Sequence, residues 1–173
     1  MIKNPYSNLR LCLVLVISTY VCLLQAGQSF LRYDNDRFGF SLEYPADFKL
    51  EQPPYNGDGQ IFHDDHGFTM TASARNNLND DTLASELKSD LEFFDKITYR
   101  TKGKNWLVLS GIKDKQILYI KAYVGKGAIN YIDIRYPEKD AAIYESILTR
   151  IAHSFKPGNL GVFHEFPSHD PDD

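Results

Sequence analysis

From Ile97 to Tyr136 the chain leaves little choice of topology. It reads as four consecutive strands, divided by Lys102-Gly103-Lys104-Asn105, Lys113-Asp114-Lys115 and Gly125-Lys126-Gly127. Gly, Asn and Asp tolerate the backbone angles of tight turns, so each divider is a turn. Connections this short join only antiparallel neighbours, because a parallel crossover needs many more residues. An antiparallel meander follows, and its last strand closes on Tyr136-Pro137.

Upstream, Phe38, Phe40, Leu42 and Tyr44 alternate with Gly39, Ser41 and Glu43 until Pro45. Period two with aromatics on one side predicts a half-buried strand. Pro53 to Gly59 reads as a loop. Gln60 to His63 and Phe68 to Arg75 read as a hairpin around Asp64-Asp65-His66-Gly67. A helix is expected from about Asn79-Asp80-Asp81, whose short side chains cap free backbone N–H groups. It would turn Leu83, Leu87, Leu91 and Phe94 inward, and Ser85, Glu86, Lys88 and Asp90 to solvent. A second helix is expected from about Glu138 to Phe155. Ile143, Ile147, Ile151 and Phe155 form its stripe, Tyr144 and Leu148 widen it, and Pro157-Gly158 stops it. Residues 158–173, acidic and proline-containing, read as a flexible tail.

Two amphipathic helices can bury their stripes only against the sheet, which predicts one α+β domain over residues 30–157. Its expected architecture is an antiparallel sheet of about six or seven strands packed with two helices. The opening Asp36-Arg37-Phe38-Gly39-Phe40-Ser41-Leu42-Glu43-Tyr44-Pro45, with Trp106 to Gly111 and Ile151 to Phe155, carries a resemblance. Over about Leu31 to Lys156 the chain resembles the PsbP-like α/β/α sandwich of bacterial exported proteins. That resemblance implies the layered fold and, because such members are mostly binding or assembly factors, a binding role. It brings no functional-residue motif with it.

The N-terminus speaks to compartment. Lys3 and Arg10 precede the apolar run Leu11 to Leu24, and Gln25-Ala26-Gly27-Gln28-Ser29 turns small and polar. That order is the layout of a secretory signal peptide, here Met1 to Ser29, and the apolar run of roughly 14 residues falls short of the roughly 20 that span a bilayer. A leader retained as an anchor is the alternative. Both cysteines, Cys12 and Cys22, lie inside this leader, so the remainder has no thiol. Without Lys3 and Arg10 the 19 basic residues become 17 against 23 acidic ones, a formal charge of −6. That balance disfavours nucleic acid and anionic membrane as partners of the whole surface. The chain is expected to be exported, periplasmic or extracellular, with no stable membrane span once the leader is cleaved.

Candidate chemistry is sparse. His63, Asp64, Asp65 and His66 are ligand types that suit zinc or another divalent ion. They are also the residues of a hairpin tip, and neighbouring side chains on a strand point opposite ways. His164-Glu165 and His169-Asp170 lack the four-residue histidine spacing of a zincin helix. In a meander alternate turns share one end, so Lys102, Lys104 and Lys126 should form a basic rim, with Lys113 and Lys115 opposite. Such a rim would suit an acidic partner or an anion. Tyr119 and Tyr123 share a strand face, and would mark a partner surface if both helices covered the other side. Trp106 opens its strand as core or as ligand platform. Gly125-Lys126-Gly127 lacks the spacing of a phosphate loop, and neither a Gly-x-Ser-x-Gly elbow nor a cysteine nucleophile outside the leader is present. The expected function is therefore a non-catalytic binding or assembly module for a protein partner, with no cofactor. An immunity or inhibitor protein is its special case, and a metal- or anion-binding envelope protein is the alternative.

Overall fold

The computed structural model describes residues 28–166. The leader up to residue 27 and the end of the tail, 167–173, lie outside the described residues. The elements run β1 (Phe30–Asp34), β2 (Ser41–Pro45), β3 (Lys49–Leu50), β4 (Gly59–His63), β5 (Thr69–Asn76) and α1 (Leu83–Leu91). They continue as β6 (Lys96–Lys102), β7 (Trp106–Lys113), β8 (Gln116–Val124), β9 (Ala128–Pro137) and α2 (Ala141–Ser154). A 3-10 turn, Glu138–Asp140, leads into α2.

Two sheets form. β1 and β2 pair as a hairpin, while the other strands make a seven-stranded antiparallel sheet in the order β3-β4-β5-β9-β8-β7-β6. The predicted meander is β6 to β9, with continuous register from Trp106↔Tyr123 to Lys113↔Gln116 and from Gln116↔Pro137 to Val124↔Ile129. Asp114 and Lys115 turn the β7–β8 hairpin with positive φ.

The helices take opposite faces of this sheet. Leu83, Leu87 and Leu91 of α1, with Phe94 just beyond it, pack on Leu107, Leu109 and Ala122. Tyr144, Ile147, Ile151 and Ala152 of α2 pack on the other face, among Met70, Ala72, Ile132 and Ile134. The β1–β2 hairpin joins α2 in that layer, where Tyr33 and Tyr44 meet the Phe62 ring at 5.4 and 4.7 Å and Phe40 meets Phe155 at 6.1 Å. Such ring pairs add to the area that they bury. Each face carries one helix, so the condition under which Tyr119 and Tyr123 would stand on a face opposite both helices is not met. Ile143, expected on the buried stripe, stands 65% exposed.

The chain ends are tied together. Ser41 N–H donates to the Lys156 carbonyl at 3.0 Å, and Lys156 N–H to that of Ser41 at 2.8 Å. A Cβ on Gly158 would lie 1.8 Å from the Phe38 carbonyl, so only glycine permits this approach. Beyond it, the Gly127 N–H donates to the Leu160 carbonyl at 2.9 Å and His164 N–H to Asn76 Oδ1 at 2.8 Å. Arg37 donates to the carbonyls of His164 and Glu165 at 3.2 and 2.9 Å. Residues 158–166 thus pack along the domain, where the sequence suggested a flexible tail from 158 onward. Proline and acidic content do not prevent docking where backbone partners are on offer.

Among the described residues no helix is long and apolar enough to cross a membrane.

Candidate functional site

The hairpin tip resolves into separate jobs. Asp64 Oδ1 accepts from the backbone N–H groups of His66 and Phe68 at 2.8 and 2.9 Å, and Oδ2 accepts from the Tyr144 hydroxyl at 2.5 Å. Burial works to raise this carboxyl, but the Tyr144 hydroxyl and the loop N–H groups outweigh it and hold it below the usual carboxylate range. Asp65 pairs with Lys49 at 2.5 Å. His63 Nδ1 lies 3.4 Å from the Asp64 carbonyl. Among the described residues no three His, Cys, Asp or Glu side chains converge as a metal would require, and this tip is a turn tied to α2.

The lysine rim is divided. Lys104 and Lys126 border one open depression of about 670 Å³, which Asp80, Asp81 and the start of α1 also line. Lys102 points instead to the α1 side, beside Leu87 and Arg100. At the far end of the sheet Lys113 pairs with Asp95 at 2.8 Å.

A polar network lies under α1. Glu86 and Asp90, expected to face solvent, are each 7% exposed, and they are the helix's buried residues. Arg75 donates to Glu86 Oε1 at 2.7 Å, to Asp81 at 2.8 Å and to the Tyr131 hydroxyl at 3.1 Å. The Tyr131 hydroxyl in turn donates to Glu86 Oε2 at 2.5 Å. Asp90 Oδ2 is buried with no hydrogen-bond partner among the described residues. Burial, with the nearby Glu86 and Asp133 carboxylates, pushes the Asp90 carboxyl up to about 6. Each other acid here has its own partner, so the network reads as structural.

The groove beside α2 is different. Parity along the meander brings Tyr99 and Thr101 of β6, Trp106 and Val108 of β7, and Tyr119, Lys121 and Tyr123 of β8 to one face. α2 covers the neighbouring strands but leaves this strip partly open, and its Leu148, Ala152 and His153 form the far wall of a cavity of about 600 Å³. Gly103 makes the floor possible, because a Cβ there would lie 2.2 Å from Trp106 Nε1. Tyr119 and Tyr123 are half-buried, and Tyr99 at the rim is 56% exposed. Lys121 is the groove's half-buried cation. Its Nζ donates to the Ala152 carbonyl at 2.6 Å and stands 5.3 Å from the Tyr123 ring centroid. Burial, then Lys156, lowers its pKa, while burial, then Tyr99 and Tyr123, raises that of Tyr119. Among the described residues no carboxylate lines the groove. It offers aromatic faces, hydroxyls, one ammonium and the His153 imidazole.

Of the residues singled out by sequence, Tyr119 and Tyr123 thus line one groove, Lys104 and Lys126 share a depression away from them, and Lys102 faces elsewhere. Sequence reasoning missed Tyr99, Lys121 and His153. Lys121 was available to it, because it shares the parity of the two tyrosines, whereas His153 depends on where α2 lies.

No family model and no curated protein matches the chain. Solved structures do. Cyanobacterial PsbP (CyanoP) from Synechocystis sp. PCC 6803 superposes with a TM-score of 0.58 at 14% identity, covering 77% of this chain and 95% of that one. The fold is PsbP-like. At that identity the likeness concerns the layered architecture alone. The Ran-binding protein Mog1p of Saccharomyces cerevisiae matches at 9% identity with a TM-score of 0.49, covering 78% of this chain and 97% of its own. LpqN of Mycobacterium tuberculosis, involved in cell envelope biogenesis, gives 12%, 0.46, 82% and 96%.

Proposed function

We propose that this chain is an exported, non-catalytic binding or assembly module that receives a segment of a partner protein in the groove between α2 and strands β6 to β8. One observation carries the reading. Tyr99, Trp106, Tyr119 and Tyr123 gather around Lys121 on a part of the sheet that α2 leaves partly uncovered. Aromatic side chains with a polar end are enriched where proteins bury one another, because they contribute large area at small entropic cost. No carboxylate in the described lining neutralises Lys121, so its remaining ammonium N–H groups favour an anionic group. Export rests on the basic, apolar and small-residue order of Met1 to Ser29. An immunity or inhibitor protein is the form this takes when the partner is a toxin.

A photoreactive amino acid at position 99 or 153, compared with one at exposed position 143, tests the groove in extract of the exporting cell. One adduct of defined mass at 99 and 153 and none at 143 is expected. Equal capture at all three positions, or capture at 143 alone, would sink the reading.

A further inference from the structure

The outer wall of the groove is also the end of a sheet. β6 stands last in the order β3-β4-β5-β9-β8-β7-β6, and its outer edge pairs with no strand among the described residues. Its first half is irregular. The register shifts between Ile97 and Tyr99, and Thr98 Oγ1 donates to the Ser110 carbonyl at 3.2 Å. From Tyr99↔Ser110 to Lys102↔Leu107 the pairing is regular. Gly103 N–H donates to the Trp106 carbonyl at 2.9 Å. Antiparallel alternation then aims the backbone groups of Tyr99 and Thr101 at β7, and those of Arg100 and Lys102 outward. The opposite edge offers no such run, because β3 is only Lys49–Leu50 and Pro53-Pro54 follow.

β6 and the turn that follows it carry charge of one sign. Between Lys96 and Lys113 stand Lys96, Arg100, Lys102, Lys104 and Lys113 with no acidic residue, in a chain whose net charge is −4. Lys113 is paired with Asp95. Lys96, Arg100, Lys102 and Lys104 enter no ion pair among the described residues. Arg100 and Lys102 lie on the α1 side of the sheet, Tyr99 and Thr101 on the groove side.

We propose that β6 accepts an extended acidic segment of the partner protein as an eighth strand. Its carboxylates stand beside Arg100 and Lys102, and its alternate apolar side chains extend the groove floor next to Tyr99. This rests on the groove reading above and names the partner's chemistry. Main-chain hydrogen bonds to Arg100 and Lys102 hold the segment, and the two faces read its alternation. A second copy of this chain does not fit, because pairing β6 with itself sets basic side chains opposite one another. Residues 158–166 dock elsewhere on the domain, with Leu160 at Gly127 and His164 at Asn76.

The probe is a fluorescein-labelled peptide of alternating Glu and Val, with a Lys-Val counterpart and Glu-Val versions N-methylated at either alternate set of amides. The full chain without its leader is expected to bind the Glu-Val peptide and to slow hydrogen exchange at the Arg100 and Lys102 amides. Arg100→Glu with Lys102→Glu is expected to weaken binding by about tenfold at unchanged melting temperature. The Lys-Val peptide, and the peptide methylated on its β6-facing amides, should not bind. Binding by both methylated peptides as tight as by the parent, an unaffected double variant, or no Glu-Val binding at millimolar concentration each overturns the proposal. Cross-linking at 99 and 153 reports on the groove separately. Cross-links without β6 protection sink strand addition alone, and β6 protection without cross-links sinks the groove reading.

Discussion

The two faces of the seven-stranded sheet are closed by different chemistry. On the α2 face, rings from the β1–β2 hairpin, β4, β9 and α2 interlock around Phe62 and Phe68, which are fully buried. Under α1, the fully buried patch is Leu107, Leu109 and Ala122, and the helix's most buried side chains are Glu86 and Asp90. A nine-residue helix has little apolar surface to give, and it is held partly by an ion pair and a tyrosine. The first closure depends on shape. The second depends on every polar group finding its partner, and one of them does not.

Truncating one buried side chain on each face tests this difference most strongly. Phe62→Ala opens a cavity among rings that cannot collapse, and a loss of about 3–5 kcal/mol in urea unfolding is expected. Leu109→Ala on the α1 face should cost less, about 2–3 kcal/mol, because the half-exposed leucines of α1 can settle into the space. Equal losses would mean that the two faces are packed alike. Glu86→Ala comes next, at about 2 kcal/mol, since it leaves the Tyr131 O–H without its acceptor and takes one of two carboxylate partners from Arg75. Glu86→Gln, which keeps a hydrogen-bond partner, should recover part of that. Equal stability of the two variants would mean that these hydrogen bonds do not hold α1 in place.

The smallest effect has a sign of its own. Asp90 is raised from an ordinary carboxyl value to about 6, so the unfolded chain releases this proton at lower pH than the folded one. Between about pH 4 and pH 6 the folded state binds more protons, and this residue's contribution makes stability fall as pH rises. Asp90→Asn removes that slope. The variant should be more stable than the parent at pH 7 by about 1 kcal/mol, and level with it at pH 4. A parallel pH dependence of parent and variant, followed by thermal unfolding, would place Asp90 in contact with solvent.

The contrast between faces also explains what the sequence makes legible. The meander could be read because turn residues and period two coincide from Lys102 to Gly127, and Phe38 to Tyr44 gave a buried strip for the same reason. β1 gave no such signal, because Leu31 is exposed and its neighbours Arg32 and Asp34 pair with each other. Glu86 and Asp90 fall on the polar side of a leucine stripe, where helical periodicity assigns solvent. Their burial is imposed by Arg75 and Tyr131, which are distant in sequence, and no local pattern reports that. The groove was half legible. Parity brings Tyr119 and Tyr123 together, but the wall supplied by Leu148 and His153 follows from which face α2 takes.

The bridge between Ser41 and Lys156 sets an order in time. A polypeptide emerges with its N-terminus first, so β2 is made more than a hundred residues before the segment that completes its outer hydrogen bonds. Phe38 and Phe40 must wait for the last helix and for Gly158 before their surroundings close. Contacts this remote in sequence make folding slow, and they keep the aromatic hairpin accessible until the segment around Lys156 has been made. A chain built this way cannot close around its aromatic hairpin until residues 156–158 have been made.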